Sequence, residues 1–490
     1  MIPWLSLIIF IPLLAGLAML LMPAERREWI RRTALAAAVV DLILSAIVYI
    51  SYNVVQGGYQ MVERLSWLPQ LGISYYAGVD GISAAMVLMA GVVVFCGVLI
   101  SWNVEDRPRE FFAFLMFLAT SVLGVFVSLD LFMLFFFFEI AVFPKYLMII
   151  GWGSPKTREY GGMKLTLYLF FGSVIALIGA LAIYFGSGKG TFDMLVLETA
   201  GFSVDFQRLW FPFAFMGFAI LGGIFPFHSW APDGHVAAPT AISMLLAGVE
   251  MKVGAFAALR VAITLLPAGM QFWAPVVMVL ATINVVYGAF IALIQTDFKY
   301  VIGFSSVSHM GLVLIGFATL TKEGMVGAGM QMFSHGIMTA AFFAIVGMVY
   351  DRAHTRDIAR LGGLAQKMPW AAVGFIVSGL VSMGMPGFSG FVAEFPIFMG
   401  AWKTAPWVAI ISAIAIVVTA AYILLVTRRV FFGGLPAEMA QAGIGDVGLL
   451  DKLAIGLLVM IMIALGWMPA LMTPMIESTV MRVLALVGGA

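Results

Sequence analysis

Runs of about twenty consecutive apolar residues recur along this chain, and they constrain its fold more than any other feature. A helix needs roughly 20 apolar residues to cross the hydrocarbon core of a bilayer. Such runs lie near residues 3–22, 33–52, 78–102, 111–129, 131–152, 165–186, 208–229, 240–265, 271–294, 300–319, 324–350, 370–402, 405–427 and 453–472. The 490 residues are 63% hydrophobic and 10% charged, whereas a soluble domain is about half apolar and about a quarter charged. No aqueous fold hides that much apolar surface, so the solvent is lipid. The expected fold is an all-α membrane protein of about fourteen transmembrane helices. No soluble domain is expected, because the polar connections reach only about twenty residues. The fourth and fifth runs are separated by Asp130 alone, which makes that boundary the least defined.

The remaining composition excludes several function classes. A net charge of +1 gives no reason to expect a nucleic-acid partner. The single cysteine, Cys96, cannot hold an iron–sulfur cluster, build a zinc site or close an internal disulfide. The first apolar run lacks a basic start and is too long for a signal segment, so it reads as a retained helix. With the N-terminus placed outside, seventeen Lys and Arg residues fall on the inner side and seven on the outer, while Lys145 and Lys252 remain in the membrane. Cytoplasmic loops carry the excess of Lys and Arg, so both termini are expected on the outer side.

Two helices read as broken. The seventh runs into FPFHSWAPDGHVAAPT, with Pro226, Pro232 and Pro239; the twelfth contains GMPGFSGF, with Pro386, Gly387 and Gly390. Proline removes a helical donor and clashes with the preceding turn. In lipid the freed backbone groups are tolerated only where protein or water satisfies them. Interrupted helices at matching positions point to inverted repeats with an ion path between them. The breaks lie five helices apart, which divides the chain into helices 1–3 (residues 1–110), a first inverted five-helix repeat (111–265), a second (266–430), and helix 14 with the tail (431–490).

Ionisable residues inside these runs are the candidate functional groups, since each costs roughly 2.5–3.5 kcal/mol to insert at mid-membrane. Glu139 follows LFFFF in helix five; Glu250 and Lys252 lie in helix eight within LLAGVEMKVGAF. His309 lies in helix ten, His335 in helix eleven and Glu394 after the break of helix twelve. His228 stands in the first break. Blander readings exist: a buried histidine such as His228 or His335 can satisfy a backbone carbonyl, Asp41 in helix two can be a packing group, and Lys145 can snorkel to the inner interface. A relay group must change charge near neutral pH. Lysine ordinarily titrates at about 10.4 and glutamate at about 4.3, and removal from water disfavours the charged form of each. Histidine needs little adjustment. Such a set suits a proton wire. No metal-ligand spacing, nucleophile elbow or phosphate loop accompanies it, so bond-making catalysis within the chain is not expected.

The stretch FPFHSWAPDGHVAAPTAISMLLAGVEMKVGAFAALR resembles the signature region of the antiporter-like subunits of respiratory complex I. TDFKYVIGFSSVSHMGL, YDRAHTRDIARLGGL, VDGIS near Asp80 and GMPGFSGFVAEF look like further family motifs. Mrp-type cation/proton antiporters and membrane-bound hydrogenases share the fold. Within the family the likeness is to subunit M, the chain-4 type, because the chain ends soon after helix fourteen and Glu394 stands where that type has a glutamate. The resemblance implies a bacterial inner-membrane subunit without a redox centre, driven by quinone reduction elsewhere and pumping protons beside neighbouring antiporter-like subunits. Quinone, NADH, FMN and iron–sulfur clusters would sit in partner chains, with no cofactor in this one. Carried over by position, Glu139 is the helix-five acid, Lys252 the central lysine, His309 the relay and Glu394 the exit-side acid.

One position departs from the family. Its usual helix-seven lysine falls on Leu221, and no lysine lies in that helix, while an additional acid, Glu250, replaces an apolar residue. Glu250 cannot face the same way as Lys252, since two residues turn a helix by about 200°. Lys145 is a poor same-face partner for Glu139, six residues away. Either Glu250 or a basic group from another helix restores the missing polarity, or the uptake half of the channel is idle. An Mrp-type antiporter or hydrogenase subunit, and a non-pumping scaffold, stand as alternative functions.

Overall fold

The computed structural model of the chain describes residues 2–441 and 444–488; the remainder of the tail assigned to 431–490 lies outside the described residues. Twelve helices among these are long and apolar enough to cross a membrane. They are α1 (Trp4–Leu21), α2 (Arg27–Ser51), α3 (Gly81–Ile100), α4 (Pro108–Val127), α5 (Leu131–Trp152), α6 (Arg158–Ser187), α9 (Thr240–Ile263), α10 (Pro267–Ile294), α11 (Phe298–Ala318), α12 (Lys322–Ala353), α15 (Pro406–Phe431) and α16 (Leu449–Trp467). The two other expected spans are divided. The first forms α7 (Val204–Leu221) and α8 (Trp230–Ala237); the second forms α13 (Pro369–Ser382) and α14 (Ser389–Thr404). A further helix, α17 (Thr473–Val487), follows α16.

The helix starts follow from local chemistry. The side chains of Asp80, Asp130, Asp297 and Thr321 each accept an N–H of the helix that follows, and Pro108, Pro267, Pro369 and Pro406 open theirs without leaving a donor unpaired. Asp130 thereby fixes the α4–α5 boundary that composition left undefined. Inside α5 the ladder is interrupted at Ala141. Helices α9 and α12 are buried along their whole apolar windows, whereas α1, α6, α15 and α16 bury a minority of theirs. The first pair forms the centre of the bundle and the second group its lipid face.

The fold is helical as expected, with one small addition between α2 and α3. There Gln60–Leu68 (β1) and Ile73–Val79 (β2) pair as an antiparallel hairpin. Gly72 turns the hairpin at φ +68°, and a Cβ on it would meet the Gly190 carbonyl oxygen at 2.0 Å, so only glycine fits. The hairpin marks one face of the bundle.

A local plan recurs on both faces. On the hairpin face, Leu131 N–H donates to Phe192 O (2.8 Å) and Met194 N–H to Leu129 O (3.0 Å), joining Asp130 to Asp193. On the opposite face, Phe298 N–H donates to Arg356 O (2.8 Å) and Ile358 N–H to Thr296 O (2.9 Å), joining Asp297 to Asp357. Each bridge ties the start of one span to the residues after the next, and each precedes a divided span.

Protein groups satisfy both breaks, as the absence of water in lipid requires. At the first, Asn284 on α10 accepts from Phe225 N–H and donates to Gly223 O (2.7 Å), while Trp230 Nε1 donates to Ile220 O (2.8 Å). At the second, Met385 N–H returns to Leu380 O (3.0 Å).

Candidate functional site

The α10–α15 half of the bundle gathers three of the expected groups, His309, His335 and Glu394. His309 lies on α11, buried, with Nδ1 2.8 Å from Ser305 O and Nε2 3.1 Å from Ser382 O. Both partners are acceptors, and a neutral imidazole carries one N–H. A doubly protonated ring donates to both, while a neutral ring can donate from Nδ1 to Ser305 O and accept at Nε2 from the Ser382 hydroxyl, 3.4 Å away. Ser382 O is available because α13 ends there, so the break in this span supplies the carbonyl. Glu394 on α14 places Oε1 3.5 Å from His309 Nε2 and 3.0 Å from Gln331 Nε2. Its Oε2 has no protein partner. Gly384 makes room for that oxygen: its φ is +64°, and a Cβ there would stand 2.8 Å from Oε2. Behind His309, Tyr422 O–H donates to Ser305 Oγ (2.7 Å).

His335 on α12 stacks on His309, with ring centroids 5.3 Å apart and planes inclined by 14°. Neither of its nitrogens has a protein partner. Next to it, Gly336 packs against Gly248 of α9, close enough that a Cβ on Gly336 would lie 2.7 Å from the Gly248 carbonyl oxygen. This crossing brings Lys252 within Coulombic range of His335, His309 and His235. Lys252 is fully buried and donates only to Ala247 O. That carbonyl lies five residues back, in the stretch Leu246–Glu250 where α9 widens into π-helical turns; π-bulges often occur at functional sites.

In the other half the arrangement differs from the expectation. Lys145 does not snorkel: it is buried on α5 and donates to Glu250 of α9 in a buried ion pair. The interruption at Ala141 falls between Glu139 and Lys145. Glu139 remains half-buried beside Ser173 of α6, with Oε1 unpartnered and Lys145 within Coulombic range. No direct contact joins Glu139 to Lys252. Glu250 and Lys252 face opposite ways, as helical geometry requires, toward the two halves of the bundle.

His228 lies apart from the histidine stack. It rests at the first break against Phe225 (5.6 Å) and Tyr287 (5.0 Å). Residue types alone did not single out His235, which is fully buried beside Phe343 with both nitrogens unpartnered. Its place in GHVAAP, seven residues after His228, was the available signal. On the face opposite the hairpin a cavity of about 290 Å³ is lined by Ser154, Thr240, Lys299, Asp351 and Arg356. Lys299, in its wall, donates to Ala238 O (2.6 Å), and His235 lies within Coulombic range of that lysine.

Asp41, on α2, is fully buried with neither oxygen partnered. No group of three or more potential metal ligands occurs among the described residues.

Known proteins share this sequence pattern and fold. Residues 128–421 match the family described as NADH:quinone oxidoreductase/Mrp antiporter, TM. The chain is 36% identical to NAD(P)H-quinone oxidoreductase chain 4 1 of Synechococcus sp. (strain JA-3-3Ab), over 99% of this chain and 93% of that one. It is also 36% identical to NAD(P)H-quinone oxidoreductase chain 4 of Gloeobacter violaceus, over 98% and 92%. Its structure superposes on a chain of respiratory complex I from Thermus thermophilus with a TM-score of 0.91 and 28% identity, covering 99% and 100%. The Mrp complex of Dietzia sp. DQ12-45-1b shares the fold, with a TM-score of 0.87 and 20% identity over 100% and 99%.

Proposed function

We propose that this chain, which belongs to the NADH:quinone oxidoreductase/Mrp antiporter membrane family, is a proton-translocating subunit of a quinone-reducing complex. The observation that carries this reading is the buried sequence from Lys252 through His335 and His309 to Glu394. It contains a stacked histidine pair, a histidine–carboxylate contact and three unpartnered polar atoms in a lipid-embedded core. Unpaired buried polar groups are costly, and their concentration in one path is what water-mediated proton transfer requires.

In this reading the hairpin face is the outer face, and the cavity at Lys299 opens to the inner side. Protons taken up there reach Lys252 and leave by way of His309 and Glu394. His228, at the first break, lines the uptake side. The recurring Asp–Asp bridges support two inverted repeats, spanning 111–265 and 266–430, related about the bundle centre. Quinone, NADH, FMN and iron–sulfur chemistry belongs to partner subunits, and the chain takes part in the oxidoreductase as a non-redox subunit. The bacterial inner membrane, with both termini outside, is the setting this orientation fits.

The scaffold alternative is favoured by Leu221, where the family usually has a lysine. The purified assembly carrying Glu394→Gln, reconstituted in proteoliposomes, separates the two. A pumping subunit loses proton translocation per quinone reduced; a scaffold keeps it.

A further inference from the structure

We propose that Lys145 and Glu250 are the proton-handling pair of the α4–α9 half of this bundle, in the role that a helix-seven lysine, absent here, would otherwise serve. The inference rests on the proton-translocating reading above and names the groups that perform it on this side of α9.

Three observations carry it. The pair is built from elements distant in sequence, α5 and α9, yet both side chains are 1% exposed. A buried pair of this kind seldom stabilises a fold more than well-packed apolar residues of the same volume would, so stability alone gives little reason for it. Second, the pair is incompletely satisfied. Glu250 Oε2 receives Lys145, but Oε1 has no partner, which leaves one oxygen available for a proton. Third, Lys145 lies within Coulombic range of two carboxylates, Glu250 and the half-buried Glu139. Glu139 also has an unpartnered oxygen. A lysine side chain is flexible enough to move between two such acceptors.

The geometry defines one step. A proton delivered by water binds Glu250 Oε1, forming an O–H bond as the hydronium donor returns to water. The net charge of the pair rises from zero to +1, and the attraction holding Lys145 to Glu250 is lost. Lys145 then pairs with Glu139. The α9 backbone carries Glu250 on one face and Lys252 on the other, two residues apart. Neutralising Glu250 removes a negative charge from the neighbourhood of Lys252, which favours loss of the Lys252 proton toward the histidine stack. Helix α9 thus couples the halves by presenting an acid to one and a base to the other.

The test uses the whole purified assembly in proteoliposomes, reading protons translocated per quinone reduced. The double variant Lys145→Met/Glu250→Leu keeps the volume and removes the charge. It is expected to assemble and to lose the share of pumping that this subunit contributes, by about tenfold or more within that share, the lower range of what a positioned proton-transfer group contributes. Glu250→Gln, nearly isosteric, is expected to do the same, and serves if the double variant does not assemble. The swap Lys145→Glu/Glu250→Lys is expected to recover part of the loss. Wild-type pumping in both the double variant and Glu250→Gln would overturn the proposal. Glu394→Gln, measured in parallel, separates the two readings: if it abolishes pumping while the pair variants retain it, the pair is idle but the subunit still pumps. If Glu394→Gln also pumps normally, the proton-translocating reading itself fails.

Discussion

The two halves of the bundle solve the problem of charge in lipid in opposite ways. In the α4–α9 half, an acid and a base meet directly and neutralise each other, Lys145 on Glu250. In the α10–α15 half, charge is spread over groups that need not be ionised. His309 sits between two carbonyl oxygens, His335 stacks on it without a partner, and Glu394 shares one oxygen with Gln331. A paired charge is held until something competes for it, whereas unpaired groups wait for a proton. The first arrangement suits control and the second suits conduction. The asymmetry lies in side chains and not in backbone plan, since both halves contain a divided span and an Asp–Asp bridge.

The largest expected effect breaks the conducting half. His309→Leu removes both carbonyl contacts and the contact with Glu394, leaving Ser382 O without a donor. The share of pumping that this subunit contributes to the reconstituted assembly should be lost, by about a hundredfold within that share as for a lost proton-transfer group, while assembly, checked by native gel, persists. Next comes the paired half. Lys145→Met alone leaves Glu250 buried and unpaired, which costs about 3–5 kcal/mol when one partner of a buried pair is removed. The double variant with Glu250→Leu should recover most of that stability, read as thermal unfolding of the solubilised assembly. Equal melting of the single and double variants would show that the pair is not coupled. A smaller effect is expected at Gly384. Alanine there must adopt the left-handed conformation and crowd Glu394 Oε2, at a cost of about 1–2 kcal/mol and a partial loss of pumping; Gly379→Ala, where φ is not positive, should leave pumping closer to wild type.

The smallest effect concerns the hairpin-face bridge. Burial pushes the Asp130 carboxyl up to about 6, against the backbone N–H groups of Ser74 and Met133 that favour its charged form. Because the native carboxyl binds its proton more tightly than the unfolded one, its contribution to stability declines as pH rises from about 3.8 to about 6 and is flat above. Asp130→Asn should flatten that part of the stability profile. An unchanged profile in Asp130→Asn would show that this carboxyl does not carry the pH dependence.

The spans and their interruptions were legible in the sequence because apolar length and proline register directly in composition. The divided spans fall at Pro226 and Pro386 for the reason their chemistry gives, loss of a backbone donor. The hairpin was not legible: QMVERLSWL mixes charged and apolar residues without strict alternation, and its partner strand runs straight into α3. Lys145–Glu250 was not legible either. The two residues lie 105 positions apart, and the packing of α5 against α9 that brings them together leaves no periodic trace in either segment. The opposed facing of Glu250 and Lys252, by contrast, follows from helical pitch alone. His228 shows the limit of residue type as a guide, since it and His235 occupy the same motif and only His235 lies near Lys252.

The most direct test of the account is proton translocation by the reconstituted assembly carrying Lys252→Ala. Lys252 is the group shared by both halves, opposite the ion pair and within range of the histidine stack. The account predicts that quinone-driven proton uptake per electron pair falls by the share this subunit contributes, with the assembly intact. Undiminished stoichiometry in an intact assembly would contradict it.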